Sequence, residues 1–291
     1  MRSDKEAPYI DEPTETWRCP SCEQARSTPF CSQCGERKLP ANDLTVRDLV
    51  EQVWGAVSNL DARLFRSVKL LLLRPGDLTV AYLSGRRRSY LGPVSLFFFA
   101  NAVFFAVQSL THTNIFSSTL DSHLHQQDWS GTAQALVARH LEARHLTLAA
   151  YAPVFDEAVV LNAKSLIILM ALTFASLLPW AFFGARRPIG AHVVFSLHLY
   201  AFILLLFCVS LLAVELDFVR GGSGLLYRPL DILVSLLNLA VASTYLHISV
   251  KAVYGGRGVI AFCRTAILAV ALAAIVLGYR FAIFLITLYL T

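Results

Sequence analysis

Five long apolar segments limit what this chain can fold into. They lie at about 92–110, 165–184, 193–215, 230–252 and 265–290, and each is long enough to cross a hydrocarbon core of about 30 Å. Of the 291 residues, 56% are hydrophobic and 15% charged, with a mean hydropathy of +0.56. Soluble domains carry about 25% charged residues. Apolar content this high exceeds what one soluble core can use, so the bilayer must solvate much of it. The expected fold class is an all-α integral membrane protein of about five transmembrane helices, with a membrane domain over 91–291.

Charge sets the expected orientation. The opening MRSDKEAPYI has no apolar h-region and is not a cleaved signal peptide, so the N-terminus is expected in the cytoplasm. With that start, Arg74, Arg86, Arg87, Arg88, Arg186, Arg187, Lys251, Arg257 and Arg264 fall inside. Arg139, Arg144, Lys164, Arg220 and Arg228 fall outside, nine basic residues against five. Five spans then put the C-terminus outside. Residues 111–163 form the sizeable external segment, which is mildly acidic. An amphipathic helix is expected over 132–147 through Ala135, Leu136, Leu141 and Leu146. His112, His123, His125, His140 and His145 also lie here. No cysteine or dense carboxylate cluster accompanies them, so they read as solvated histidines rather than metal ligands.

Ahead of the spans, residues 1–18 read as a polar, disordered tail. Cys19-Pro20-Ser21-Cys22 and Cys31-Ser32-Gln33-Cys34 then form two CxxC turns. Each turn offers two thiolates, and together they complete a tetrahedral shell of four cysteines for structural Zn2+. Gly35 suits a turn at positive φ that aims N–H groups at sulfur. A reducing cytoplasm favours metal over disulfide, and no thioredoxin-like context supports a redox dithiol. Residues 19–37 are the expected zinc ribbon.

Residues 44–90 read as amphipathic, interfacial helices. Val46, Leu49, Val50, Val53, Val57, Leu60, Leu64, Val68 and Leu71 repeat with helical period. Arg63, Arg66 and Lys69 flank the second half, the composition of a helix lying at a membrane surface. Arg74-Pro75-Gly76 stops it, and Asp77 opens a short helix over 78–84. The basic residues run straight into a span, which fits attraction to anionic lipid and not to nucleic acid. Arg74, Arg86, Arg87, Arg88 and Tyr90 form an arginine mouth with an aromatic belt residue. The mouth also suits lipid phosphate.

Ionisable groups at membrane depth are site candidates by default. Here they are His198, Glu215, His247 and Arg280. Arg280 can pair with Glu215 or snorkel to the outer head groups. His198 and His247 can form a proton relay or sit satisfied as buried histidines. Asn101, Gln108, Asn238, Ser235 and Ser243 read as interhelical hydrogen-bond groups. Cys208 and Cys263 read as small apolar residues. No HExxH, GxSxG, Walker or GxGxxG pattern occurs.

Cys19, Cys22, Phe30, Cys31, Cys34 and Gly35 are followed by Arg74, Pro75, Gly76, Tyr82, Gly85, Arg86, Arg87, Tyr90, Pro93 and Phe97. Over about residues 19–105 this set resembles the bacterial membrane proteins catalogued as domain of unknown function three-six-six-seven. The resemblance implies a bacterial inner-membrane protein and no particular activity. The expected role is a non-enzymatic scaffold or regulatory subunit whose ribbon contacts a cytoplasmic protein. The alternative is a transporter or lipid-handling protein using the arginine mouth and the polar groups in the spans.

Overall fold

The computed structural model describes residues 16–36, 38, 62–111, 115–184, 187–220, 228–256 and 258–291. The tail expected over 1–18, except its last three residues, lies outside the described residues. So do the first interfacial helix over 44–61, His112, Arg186 and Arg257. The chain is mostly helical. Strands β1 (Trp17–Arg18) and β2 (Ala25–Arg26) form one short antiparallel pair. Ten helices follow among the described residues.

Helix α1 (Ala62–Leu73) buries Leu71 and packs Leu64 and Val68 on the core, leaving Phe65 exposed. It ends at Arg74-Pro75-Gly76, with Gly76 at φ 86, and α2 (Asp77–Leu83) starts there. A Cβ on Gly76 would lie 2.8 Å from the Ala252 Cβ and 2.9 Å from the Ser249 Cα. Only glycine allows both this φ and this approach. Gly85 turns at φ 92. Pro93 then opens α3 (Pro93–Leu110) in the first turn, where its missing N–H costs nothing.

Short helices α4 (Leu120–His125) and α5 (Ser130–Arg144) follow. Thr119 caps α4 and Thr147 caps α6 (Leu148–Leu166), each through a side chain accepting the N–H three residues on. Between α5 and α6 the chain bends by 111°. The helix expected over 132–147 is α5, but Ala133 and Val137 are its buried residues, not Ala135 and Leu146.

Among the described residues four helices are long and apolar enough to cross a membrane: α3, α8 (Ile189–Val219), α9 (from Leu230 within Arg228–Tyr254) and α10 (Gly258–Leu290); the bent pair α5 and α6 would make a fifth if it counts as one span. The span expected at 165–184 differs. There α7 (Ile168–Ala181) has 14 residues, about 21 Å of helix, too short for a ~30 Å core. Ile167 separates it from α6 while keeping helical angles of φ −57 and ψ −25, so α6 and α7 follow one another as an interrupted helix. Tyr151 meets Thr291, Asn162 meets Thr287, and the Tyr279 hydroxyl donates to the Ala163 carbonyl at 2.8 Å. The interrupted helix therefore runs antiparallel to α10.

Helix α8 sits at the centre, buried along most of its first half. Phe104 of α3 meets Phe207, Ser196 donates to the Ala171 carbonyl of α7, and Ser210 donates to Asn238 of α9. Phe202 stacks on Tyr245 at 3.6 Å. Asn101 donates to the Lys164 carbonyl at 3.4 Å. These bonds fit hydroxyl and amide groups linking helices in an apolar surround.

Helix α10 changes company along its length. Val259, Ile260, Phe262, Ile267, Val270 and Leu277 are exposed. From Tyr279 onward, Ile283, Phe284 and Leu288 are buried. Phe281 meets Trp129, and Phe284 meets His123 and Phe155. Helices α4, α5 and α6 thus form a cap around the last third of α10.

Candidate metal centre and its seat on the membrane body

The two CxxC turns fold alike. Glu23 N–H donates to the Cys19 carbonyl at 2.8 Å, and Gly35 N–H to the Cys31 carbonyl at 2.6 Å. Cys19 N–H donates to the Gln24 carbonyl at 2.9 Å, and Cys31 N–H to the Glu36 carbonyl at 2.7 Å. Glu23 and Gly35, each following the second cysteine of its turn, take φ 61 and φ 68. The equal spacing of the pairs signals this repeat. The residue type at Glu23 does not, because a glutamate rarely adopts a left-handed angle.

The four sulfurs lie within 4.8 Å of one another, with Cys19–Cys34 and Cys22–Cys31 at 3.4 Å. A tetrahedral zinc with bonds of about 2.3 Å separates its sulfurs by about 3.8 Å. All four cysteines are free thiols. The backbone N–H of Cys34 holds the Cys31 thiol down to about 5, although burial works the other way. The Glu36 N–H favours the Cys34 thiolate, but burial and the thiols of Cys19, Cys31 and Cys22 push that group up to about 12. One thiolate forms readily and the next is resisted. A divalent cation at the centre removes that conflict, so the donor set fits a metal.

The ribbon rests on the arginine mouth. Glu36, 5% exposed, accepts the Ser21 hydroxyl at 2.6 Å and the Arg88 N–H at 3.4 Å. A Cβ on Gly35 would fall 1.3 Å from the Arg88 Nη1. Glu36 was not legible as a structural residue, because nothing in the spacing pairs it with a residue 52 positions away. Arg87 donates to the Tyr82 carbonyl at 3.3 Å and lies over the Tyr82 ring at 4.6 Å. Arg86 is exposed, Tyr90 is half-buried, and Arg74 lies 4.0 Å from Asp77 with most of its side chain open.

The intramembrane candidates do not converge. His198 is buried, with its Nδ1 2.9 Å from the Thr79 hydroxyl and the Tyr82 ring edge-on at 6.4 Å. His247 is half-buried against Phe262 and lines a cavity of about 120 Å³ with Lys251 and Thr265. No hydrogen bond joins the two histidines among the described residues. Arg280 donates to Ser118 at 2.9 Å. The pairing with Glu215 is not formed; the contact is instead to Ser118, in the loop after α3. His123, expected in solvent, is 1% exposed and accepts the Trp129 indole N–H at 3.2 Å. His125 stays in solvent, 2.9 Å from Asp121.

A family model described as a protein of unknown function (DUF3667) matches residues 61–105. That stretch spans α1, α2 and the first two thirds of α3, including the Gly76 turn and the arginine mouth. No curated protein and no solved structure matches the chain.

Proposed function

We propose that this chain is a bacterial inner-membrane protein of five spans that works as a non-enzymatic scaffold or regulatory subunit. The α6–α7 rod serves as the second span. The ribbon lies in the cytoplasm and the Thr291 end outside. Cys19, Cys22, Cys31 and Cys34 hold one structural Zn2+, and the ribbon presents a folded contact surface to a cytoplasmic protein. Four protein ligands leave no position for a catalytic water. Metal binding supplies the folding energy of a segment too short to build its own core. The observation that supports the reading most is the seat of Glu36 and Gly35 on Arg88. The contact sets the four-cysteine ribbon beside Arg88 at the start of the first span, which supports a role in which one partner meets both ribbon and membrane.

Affinity purification from native membranes in mild detergent tests this. The intact chain should bring down a defined protein that Cys19→Ser loses while remaining membrane-inserted. An identical set of proteins with both chains would count against the scaffold. The alternative, lipid handling through the arginine mouth, draws on the exposed heads of Arg74 and Arg86. Lipid exchange between vesicles by the purified chain alone would favour it.

A further inference from the structure

Arg280 is a cation whose needs the protein meets only in part. Its Nη2 donates to the Ser118 hydroxyl at 2.9 Å, while its Nε is enclosed without a partner. No carboxylate oxygen lies within ion-pair distance of it among the described residues. Asp231, exposed in the first turn of α9, acts on it only through its field. A guanidinium offers five donors in a planar fork. Nε alone is enclosed and unpartnered; Arg280 is half-buried, and the outer edge of its guanidinium is left open to a further acceptor.

The position of Arg280 says what could meet them. It stands where α10 passes from its exposed stretch, ending at Leu277, into the cap that begins at Tyr279. Exposed Arg264 lies 16 residues earlier on the same helix, about 24 Å along the axis. The two arginines therefore flank the exposed Ile267, Val270 and Leu277. Lys164, also exposed, shares the level of Arg280, because Tyr279 bonds the Ala163 carbonyl. Ser118 is held firmly for its part. It is 4% exposed, and its neighbour Ser117 accepts from Gln108 at 3.2 Å. The Leu120 N–H, two residues on, donates to Asp156 at 2.7 Å.

We infer that Arg280, with Ser118, is a receptor for a single phosphate group on the membrane face away from the ribbon. The group is carried by a phospholipid head or is free in solution. The phosphate accepts from the open edge of the guanidinium and from Ser118, and Lys164 adds positive field. This site is separate from the arginine mouth, which lies at the other end of α3.

The inference rests on the membrane-spanning reading of α10. Release of the chain from membranes by alkaline carbonate, without detergent, would refute that reading before any lipid is added. The test takes the delipidated full chain in detergent. It titrates phosphatidylglycerol, diacylglycerol with the same tails, and inorganic phosphate, reading bound mass by native mass spectrometry and the unfolding midpoint. Phosphatidylglycerol should bind and raise the midpoint, and diacylglycerol should do neither. Arg280→Gln should weaken retention about tenfold, the loss expected for a charge-assisted bond. Asp231→Asn removes an opposing charge and should tighten it, a gain that a misfolded variant cannot imitate. Inorganic phosphate that displaces the lipid and itself raises the midpoint would identify the free anion as the source. Equal retention by native chain and Arg280→Gln, or equal shifts from phosphatidylglycerol and diacylglycerol, would overturn the inference.

Discussion

Gly76 answers two demands at once, a left-handed φ and contact with the α9 backbone. Gly76→Ala should therefore cost about 2–4 kcal/mol, from backbone strain plus overpacking. Gly278, helical with no atom within 4 Å of a built Cβ, should tolerate alanine or gain about 0.5–1 kcal/mol. Melting curves in detergent separate the two. At the ribbon, Cys19→Ser should drop bound zinc from one per chain to near zero by metal analysis, while the spans stay inserted. Burial and the Arg280 charge push His123 down to about 4. An unfolded histidine takes up its proton near 6.5. Below that value the unfolded chain binds a proton that the folded chain refuses. Stability should therefore fall as pH drops from about 6.5 toward 4 and be flat above 7. The groups facing His123 are Trp129, Phe155, Phe284 and Arg280. His123→Phe should flatten the acid limb of a melting-point profile.

Among the helices, hydropathy located the rods but not their breaks. The apolar run from 165 to 184 reads as one span because hydropathy registers solvation and ignores hydrogen-bond order. Ile167 interrupts the ladder without any proline or glycine to announce it. The span expected at 265–290 lies within α10, but what surrounds its end was not legible for a related reason. Phe281 to Leu290 is as apolar as a lipid-facing segment, and sequence cannot distinguish lipid from a protein cap as its solvent. The four-cysteine set was legible because four thiols at fixed spacing have few other uses. Its seat on Arg88 was not, since that contact depends on tertiary placement. The cap makes its own prediction. Phe284→Ala empties a site that is fully buried between His123 and Phe155, and should cost about 3–5 kcal/mol. Proteolysis of spheroplasts should then cut within 120–147 faster than in the native chain.

For the whole molecule, contacts divide the described residues between two ends. Ribbon, arginine mouth and the start of α3 lie together. The cap, Arg144 and Thr291 lie together at the other, with Arg144 donating to the Thr291 carbonyl. Green fluorescent protein fused after Thr291 should stay dark and alkaline phosphatase fused there should be active. The reverse pattern would place Thr291 in the cytoplasm and overturn the proposed topology. The division also fixes an order of assembly. In the chain, α4, α5 and α6 precede α10, so in the proposed orientation α4, α5 and the start of α6 leave the ribosome and reach the far side of the membrane before the helix that fills them. Until α10 crosses, the cap holds an unoccupied apolar face. In that orientation, crossing of α10 is the event that closes the cap, and a fault in its insertion becomes readable in the periplasm as an open cap.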